Sequence, residues 1–168
     1  MTAVPAPPDA RPFVSGLPWR EQRPSVLVVA CSDGRLQGHT DDFLDRLGIT
    51  QYDRVFAPGG PGALASGVDN FMRADQFRRE CAFLVEAHGI QDVYLVFHGP
   101  AADGPPEATC GDYRRRFPHD SPAQIRARQE HDAADLLRNG FSPGVKVRLH
   151  PYRCEVTADD RVQFVPLG

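Results

Sequence analysis

With 168 residues the chain has the size of one domain, and a hydrophobic content of 41% is enough for a core. Its formal net charge of -3 at pH 7 argues for neither a nucleic-acid partner nor a membrane surface. No apolar run approaches the roughly 20 residues that a spanning helix needs.

Residues 1–24 read as an arm. Pro5, Pro7, Pro8, Pro12, Pro18 and Pro24 forbid a long regular element there, so the arm is either disordered or laid on a partner subunit. It lacks the apolar centre of a signal peptide, and the expected setting is a reducing cytosol. The four cysteines are then expected as ligands, nucleophiles or buried thiols rather than disulfides.

Residues 25–168 read as a single α/β domain. Residues 26–30, Val-Leu-Val-Val-Ala, are apolar on both faces, as a buried strand requires. Thr40 is placed to N-cap a short helix through Leu47, with Asp41 and Asp42 at its positive end and Gly48 beyond it. A short second strand over residues 53–57 ends in the turn Pro58-Gly59-Gly60-Pro61-Gly62. A long helix follows over about residues 69–88. Phe71, Phe77, Cys81, Leu84 and Val85 share its apolar face, and Gly89 closes it. Residues 92–97 form a third strand, and residues 99–109 a loop. Ser121 caps a helix to about Asn139, with Pro122 in its first turn and Gly140 past its end. Residues 145–150 and 161–165 are the fourth and fifth strands, paired as a hairpin. Strands alternating with helices predict a central, mostly parallel sheet flanked by helices, in the order 2-1-3-4 plus an edge strand.

The run Cys31-Ser32-Asp33-Gly34-Arg35 comes directly after the first strand, and the carboxyl edge of a parallel sheet is where such folds gather their chemistry. His98 ends the third strand, and Cys110 lies beyond it. If the first and third strands are neighbours, Cys31 and His98 emerge side by side and Cys110 swings back to join them. Two thiolates and an imidazole suit zinc, leaving a fourth tetrahedral position for Asp33 or for water. A bidentate pair with Arg35 would hold Asp33 off the metal. The form with water is the catalytic one, because zinc brings the pKa of bound water toward about 7.

These residues resemble the signature of β-class carbonic anhydrases, in which Cys-x-Asp-x-Arg follows a Val-rich strand and His-x-x-Cys-Gly follows the next central strand. Residues 93–98 match that second strand with its His98, and Cys110-Gly111 match its Cys-Gly. Cys110-Gly111-Asp112-Tyr113 is similar to the Cys-Gly-Ala-Tyr run of small bacterial members, and the resemblance spans roughly residues 25–165. It implies a β-carbonic-anhydrase-like fold and a zinc enzyme that hydrates carbon dioxide to bicarbonate, built as a homodimer or a dimer of dimers. By residue, it implies Cys31, His98 and Cys110 as zinc ligands and Asp33 with Arg35 as the catalytic dyad. The spacing departs from the family: eleven residues, 99–109, separate His98 from Cys110 where the family keeps two. A connection of that length must be held by packing rather than by local backbone geometry.

Three other readings compete. Cys110 and Arg116 satisfy a bare Cys-x5-Arg phosphatase spacing, although the residues between them lack the glycines that aim amides at one anion. A catalytically inactive member, zinc-binding or metal-free, would serve as an interaction module. A hydrolase of a carbon dioxide analogue, such as carbon disulfide or carbonyl sulfide, would use the same metal chemistry. Cys81 reads as core, Cys154 as structural, Arg114-Arg115-Arg116 as a solvated face and His131 as a surface residue. The glycine turn reads as a tight connection passing close to the site.

Overall fold

The computed structural model of the chain describes residue 12, residues 14–65 and residues 71–168. Its strands are β1 (Val26–Cys31), β2 (Asp53–Ala57), β3 (Asp92–Pro100), β4 (Arg148–Val156) and β5 (Val162–Pro166). They form one sheet in the order β2-β1-β3-β4-β5. The first four strands are parallel, and β5 returns antiparallel to β4. The helices are α1 (Gly34–Arg46), α2 (Phe71–His88), α3 (Gly111–Arg116) and α4 (Pro122–Asn139). This is the expected α/β fold and strand order.

Residues of β1 alternate between two cores. Leu27 and Val29 pack with Phe77, Cys81 and Val85 of α2 and with Leu136 of α4. Val28 and Ala30 pack on the other face with Leu44 of α1 and Val96 of β3. Leu27, Val28 and Val29 are fully buried, and each such side chain contributes roughly 1.5–3 kcal/mol of transfer free energy. A strand covered on both faces has no need of polar alternation. Helix α4 keeps its expected boundaries. Ser121 caps it reciprocally with Gln124, Pro122 occupies the first turn, and Gly140 ends it at φ 67°.

Several boundaries differ from the sequence reading. Helix α1 starts at Gly34 with Asp33 as its N-cap, and Thr40 lies buried inside it, its Oγ1 donating to the Leu36 carbonyl. The Asp33 carboxylate outcompeted Thr40 as cap because it reaches the Arg35 amide at 3.1 Å. Strand β4 runs three residues later and six residues further than expected, through Pro151, and it contains Cys154. Pro151 is tolerated one residue before the stretch that β5 pairs with, where its missing N–H breaks no β4–β5 rung. Phe71 is exposed rather than part of the buried face of α2, which Ala74 completes instead. The expected start of α2 near Asp69, and residues 1–11 and 13 of the proline arm, lie outside the described residues. Residues 14–25 carry no helix or strand. No helix among the described residues is long and apolar enough to cross a membrane.

Candidate metal centre

Because β1 to β4 run parallel, their carboxyl ends share one edge of the sheet. Cys31 closes β1, His98 lies two residues before the end of β3, and Cys110 is the N-cap residue of α3. The two sulfurs and one ring nitrogen of these residues all lie within 4.8 Å of one another. Tetrahedral zinc would need such atoms roughly 3.4–3.8 Å apart, a spacing inside that bound.

His98 is 2% exposed, yet neither of its ring nitrogens has a hydrogen-bond partner. A buried imidazole left this way is costly, and a metal ion on one nitrogen removes that cost. Its backbone is held from α4, where the buried Gln129 donates to the His98 carbonyl at 2.9 Å. The long connection to Cys110 is fully structured. Strand β3 continues past His98 to pair Gly99 with Glu155 and Pro100 with Val156. The Ala101 amide then donates to the Val156 carbonyl at 2.8 Å. Gly104 lies so close to that carbonyl that a Cβ there would collide with it. A single 3-10 turn, Pro106–Ala108, leads into α3, and Arg114 fastens it by donating to the Pro106 carbonyl at 3.1 Å. The insertion is therefore a strand extension and a return over β4, which places Cys110 beside Cys31.

The two sulfurs share a proton. The hydrogen bond from the Cys110 thiol, aided by His98 and the Gly59 amide, holds Cys31 down at about 4 against the opposing effect of burial. The same bond, together with burial, pushes the Cys110 thiol up. Of the two sulfurs, Cys31 is the one whose surroundings favour the thiolate.

Asp33 stands apart from this cluster. Arg35 forks onto it, Nε donating to Oδ1 at 3.0 Å and Nη2 to Oδ2 at 2.6 Å. That pairing holds the Asp33 carboxyl at about 2, below its usual range. The cluster therefore presents two sulfurs and one imidazole nitrogen, while the Asp33 carboxylate is engaged by Arg35. Cys110 and His98 are buried and Cys31 only half so, which puts the approach on the Cys31 side. Beside Arg35 a cavity of about 380 Å³ opens, walled by Leu36 and His39 of α1, Ala108 of the long connection, and Val156 and Val162 of the β4–β5 hairpin.

The glycine turn is wedged against the site, as expected from its position after β2. A Cβ on Gly60, at φ +52°, would sit 2.7 Å from the Cys31 amide nitrogen, and one on Gly62 would run into the Tyr113 hydroxyl. Cys81 and Cys154 are fully buried, their thiols pushed up to about 12 by burial, which makes them core. His131 is exposed.

Arg114 and Arg115 keep the solvated face expected of the arginine run, and Arg116 departs from it. Arg115 pairs with Asp112, and the Arg116 guanidinium lies over the rings of Tyr113 and Phe117, 5.1 Å from each centroid. That inward position, on a helix rather than a loop, also removes the phosphatase cradle. Three participants escaped the sequence reading: Gln129, Arg73 and Asp112. Asp112 alone had a signal, as a charge directly after Cys-Gly.

The fold is that of the β-carbonic anhydrases. The chain is similar to β-carbonic anhydrase isoform I of the protozoan Trichomonas vaginalis, with a TM-score of 0.50 and 14% identity over 90% of this chain and 88% of that one. It is also similar to the β-carbonic anhydrase CcaA, at TM-score 0.49 and 14% identity over 86% of this chain and 84% of that one. A carbon disulfide hydrolase in its apo form gives TM-score 0.45 and 13% identity over 84% and 78%. No protein-family model matches the chain, and no curated protein does.

Proposed function

We propose that this chain is a zinc-dependent carbonic anhydrase of the β type, hydrating carbon dioxide to bicarbonate. The observation that carries this reading is the buried Cys31–His98–Cys110 cluster, with both His98 ring nitrogens without a hydrogen-bond partner and Asp33 turned away to Arg35. The donor set fits the metal: two sulfurs and an imidazole are ligands that zinc takes. Bound zinc supplies the Lewis acidity that brings a water's pKa toward neutrality.

The rest is done by the chain. Gln129 fixes the His98 backbone, and the Gly59 amide favours the Cys31 thiolate. Arg35 withholds Asp33 from the metal and keeps it anionic, so that Asp33 accepts a hydrogen bond from the water that enters beside it. The cavity beside Arg35, whose wall mixes Leu36, Ala108, Val156 and Val162 with His39, Glu107 and Asp160, is the route we assign to carbon dioxide and bicarbonate. A homodimer suits the exposed apolar side chains of Leu17 and Trp19 before β1 and of Phe71 and Met72 on α2.

Stopped-flow hydration tests the reading. The zinc-loaded protein is expected to hydrate carbon dioxide above the buffer rate, to lose that activity to a chelator and to regain it with zinc. Bound zinc without hydration across pH 7 to 9 would overturn it in favour of an interaction module. Turnover of carbon disulfide in place of carbon dioxide would overturn it in favour of the analogue hydrolase.

A further inference from the structure

Cys110 reaches the cluster at the end of an eleven-residue connection whose packed return over β4 brings it beside Cys31 without the short-range backbone constraint of a two-residue spacer. The helix that begins at Cys110 supplies that constraint. We infer that Asp112 is the positioning residue of this site: with Arg73 it clamps the helix that carries Cys110 onto the glycine turn that supports Cys31.

Four observations converge on this. The Asp112 side chain is 4% exposed, although it stands where the resembled Cys-Gly-Ala-Tyr run carries a methyl group. Its Oδ1 accepts from Arg73 Nη1 of α2 at 3.2 Å and from Arg115 Nη2 at 2.9 Å, so a charge that would be costly to bury is paired from two sides. Arg73 also donates to the Pro58 carbonyl, at the start of the glycine turn. The carboxylate packs onto that turn as well: a Cβ on Gly59 would lie 2.5 Å from Asp112 Oδ2. Gly60, next in that turn, packs on the Cys31 backbone, where a Cβ would lie 2.7 Å from the Cys31 amide nitrogen. One ion pair thus ties together α2, the turn under Cys31 and the helix that begins at Cys110. It sets the separation of the two sulfurs, which local backbone geometry would set if only two residues stood between His98 and Cys110. The inference draws on the zinc reading for only one of its two readouts.

The test compares the full-length wild type with Asp112→Asn, Arg73→Met and the double variant. In the reduced, metal-free proteins, alkylation by iodoacetamide is followed at each cysteine by mass spectrometry. Cys81 and Cys154, equally buried, serve as internal standards. Cys110 is expected to label at least about tenfold faster in either single variant, with Cys81 and Cys154 unchanged and the double variant no faster than the faster single one. In competition with a chromophoric chelator, zinc affinity is expected to fall about 10- to 100-fold in the same proteins. Unchanged Cys110 labelling in both single variants would overturn the clamp, as would equal acceleration at all three cysteines or zinc bound at wild-type affinity by both variants. If Asp112→Asn fails to fold, Arg73→Met decides alone. Should the wild type take up no zinc, the zinc reading fails while the labelling still decides the clamp.

Discussion

At the amino edge of the sheet, Asp92 faces its register partner Arg148 through hydrogen bonds of 2.6 and 2.5 Å, with His150 Nε2 at 2.8 Å. His88 closes the same edge, its Nδ1 2.5 Å from Asp53. At the carboxyl edge, His98 is buried and, among the described residues, neither ring nitrogen has a hydrogen-bond partner. Strand β3 carries a residue of each edge, Asp92 at one end and His98 toward the other. At the first, each of these imidazoles has a carboxylate partner at the surface, and the ion pairs contribute little. At the second, an imidazole and two sulfurs converge and the one nearby carboxylate is held elsewhere. Cavity size points the wrong way: about 810 Å³ at the amino edge, lined by Trp19, Arg23, Tyr52 and His88 among others, against about 380 Å³ beside Arg35. Unsatisfied donors, rather than volume, mark the site.

Exchanging the histidines breaks that comparison most sharply. His98→Ala is expected to abolish zinc binding and reduce hydration to background. His150→Ala is expected to leave both unchanged, with Tm lower by about 2 °C at most. Equal effects on zinc would contradict the contrast between the edges.

Asp33→Asn separates metal binding from catalysis. It is expected to keep one zinc per chain while kcat/KM falls about 10²- to 10⁴-fold, read by stopped-flow hydration. Zinc loss in that variant would mean that Asp33 is a ligand.

Two glycines sharpen the steric side. Gly60→Ala places a methyl group against the Cys31 backbone at a positive φ and is expected to cost on the order of 1–3 kcal/mol in urea unfolding and to weaken zinc. Gly34→Ala meets nothing within 4 Å and is expected to stay within about 0.5 kcal/mol of the wild type.

The smallest effect lies at the amino edge and depends on pH. The Asp92 carboxyl is held at about 2 by Arg148, below its usual value of 3.8, with His150 adding to the effect. Its contribution to stability is therefore present above the usual value and lost as pH falls through about 2. Asp92→Asn is expected to be slightly less stable than the wild type at pH 6 and equal to it at pH 2, by urea unfolding at both.

Much of this was legible in the sequence because local signals agreed with the global pattern. The apolar run of β1 has no other use than burial on both faces, and Ser121-Pro122 with Gln124 writes the start of α4 in three residues. Cys31, Asp33, Arg35 and His98 were found from motif and strand position, and the structure brings Cys31, His98 and Cys110 together. Other elements depend on partners far along the chain. Thr40 is a good cap by composition, but Asp33, already engaged by Arg35, starts the helix about two turns earlier. Pro151 looked like the end of a strand because its tolerance depends on where β5 begins to pair. Arg116 looked solvated because the rings of Tyr113 and Phe117 that draw it in become its neighbours only once α3 forms. Gln129 gives no local sign of the His98 carbonyl, 31 residues away.

The central claim is that Cys31, His98 and Cys110 form one three-ligand metal site across an eleven-residue connection. Zinc content per chain, measured on the wild type and on Cys31→Ser, His98→Ala and Cys110→Ser under reducing conditions, tests it most directly. One zinc per chain in the wild type, lost in all three variants, is the predicted result. No zinc in the wild type after loading, or zinc retained by Cys110→Ser, would contradict it.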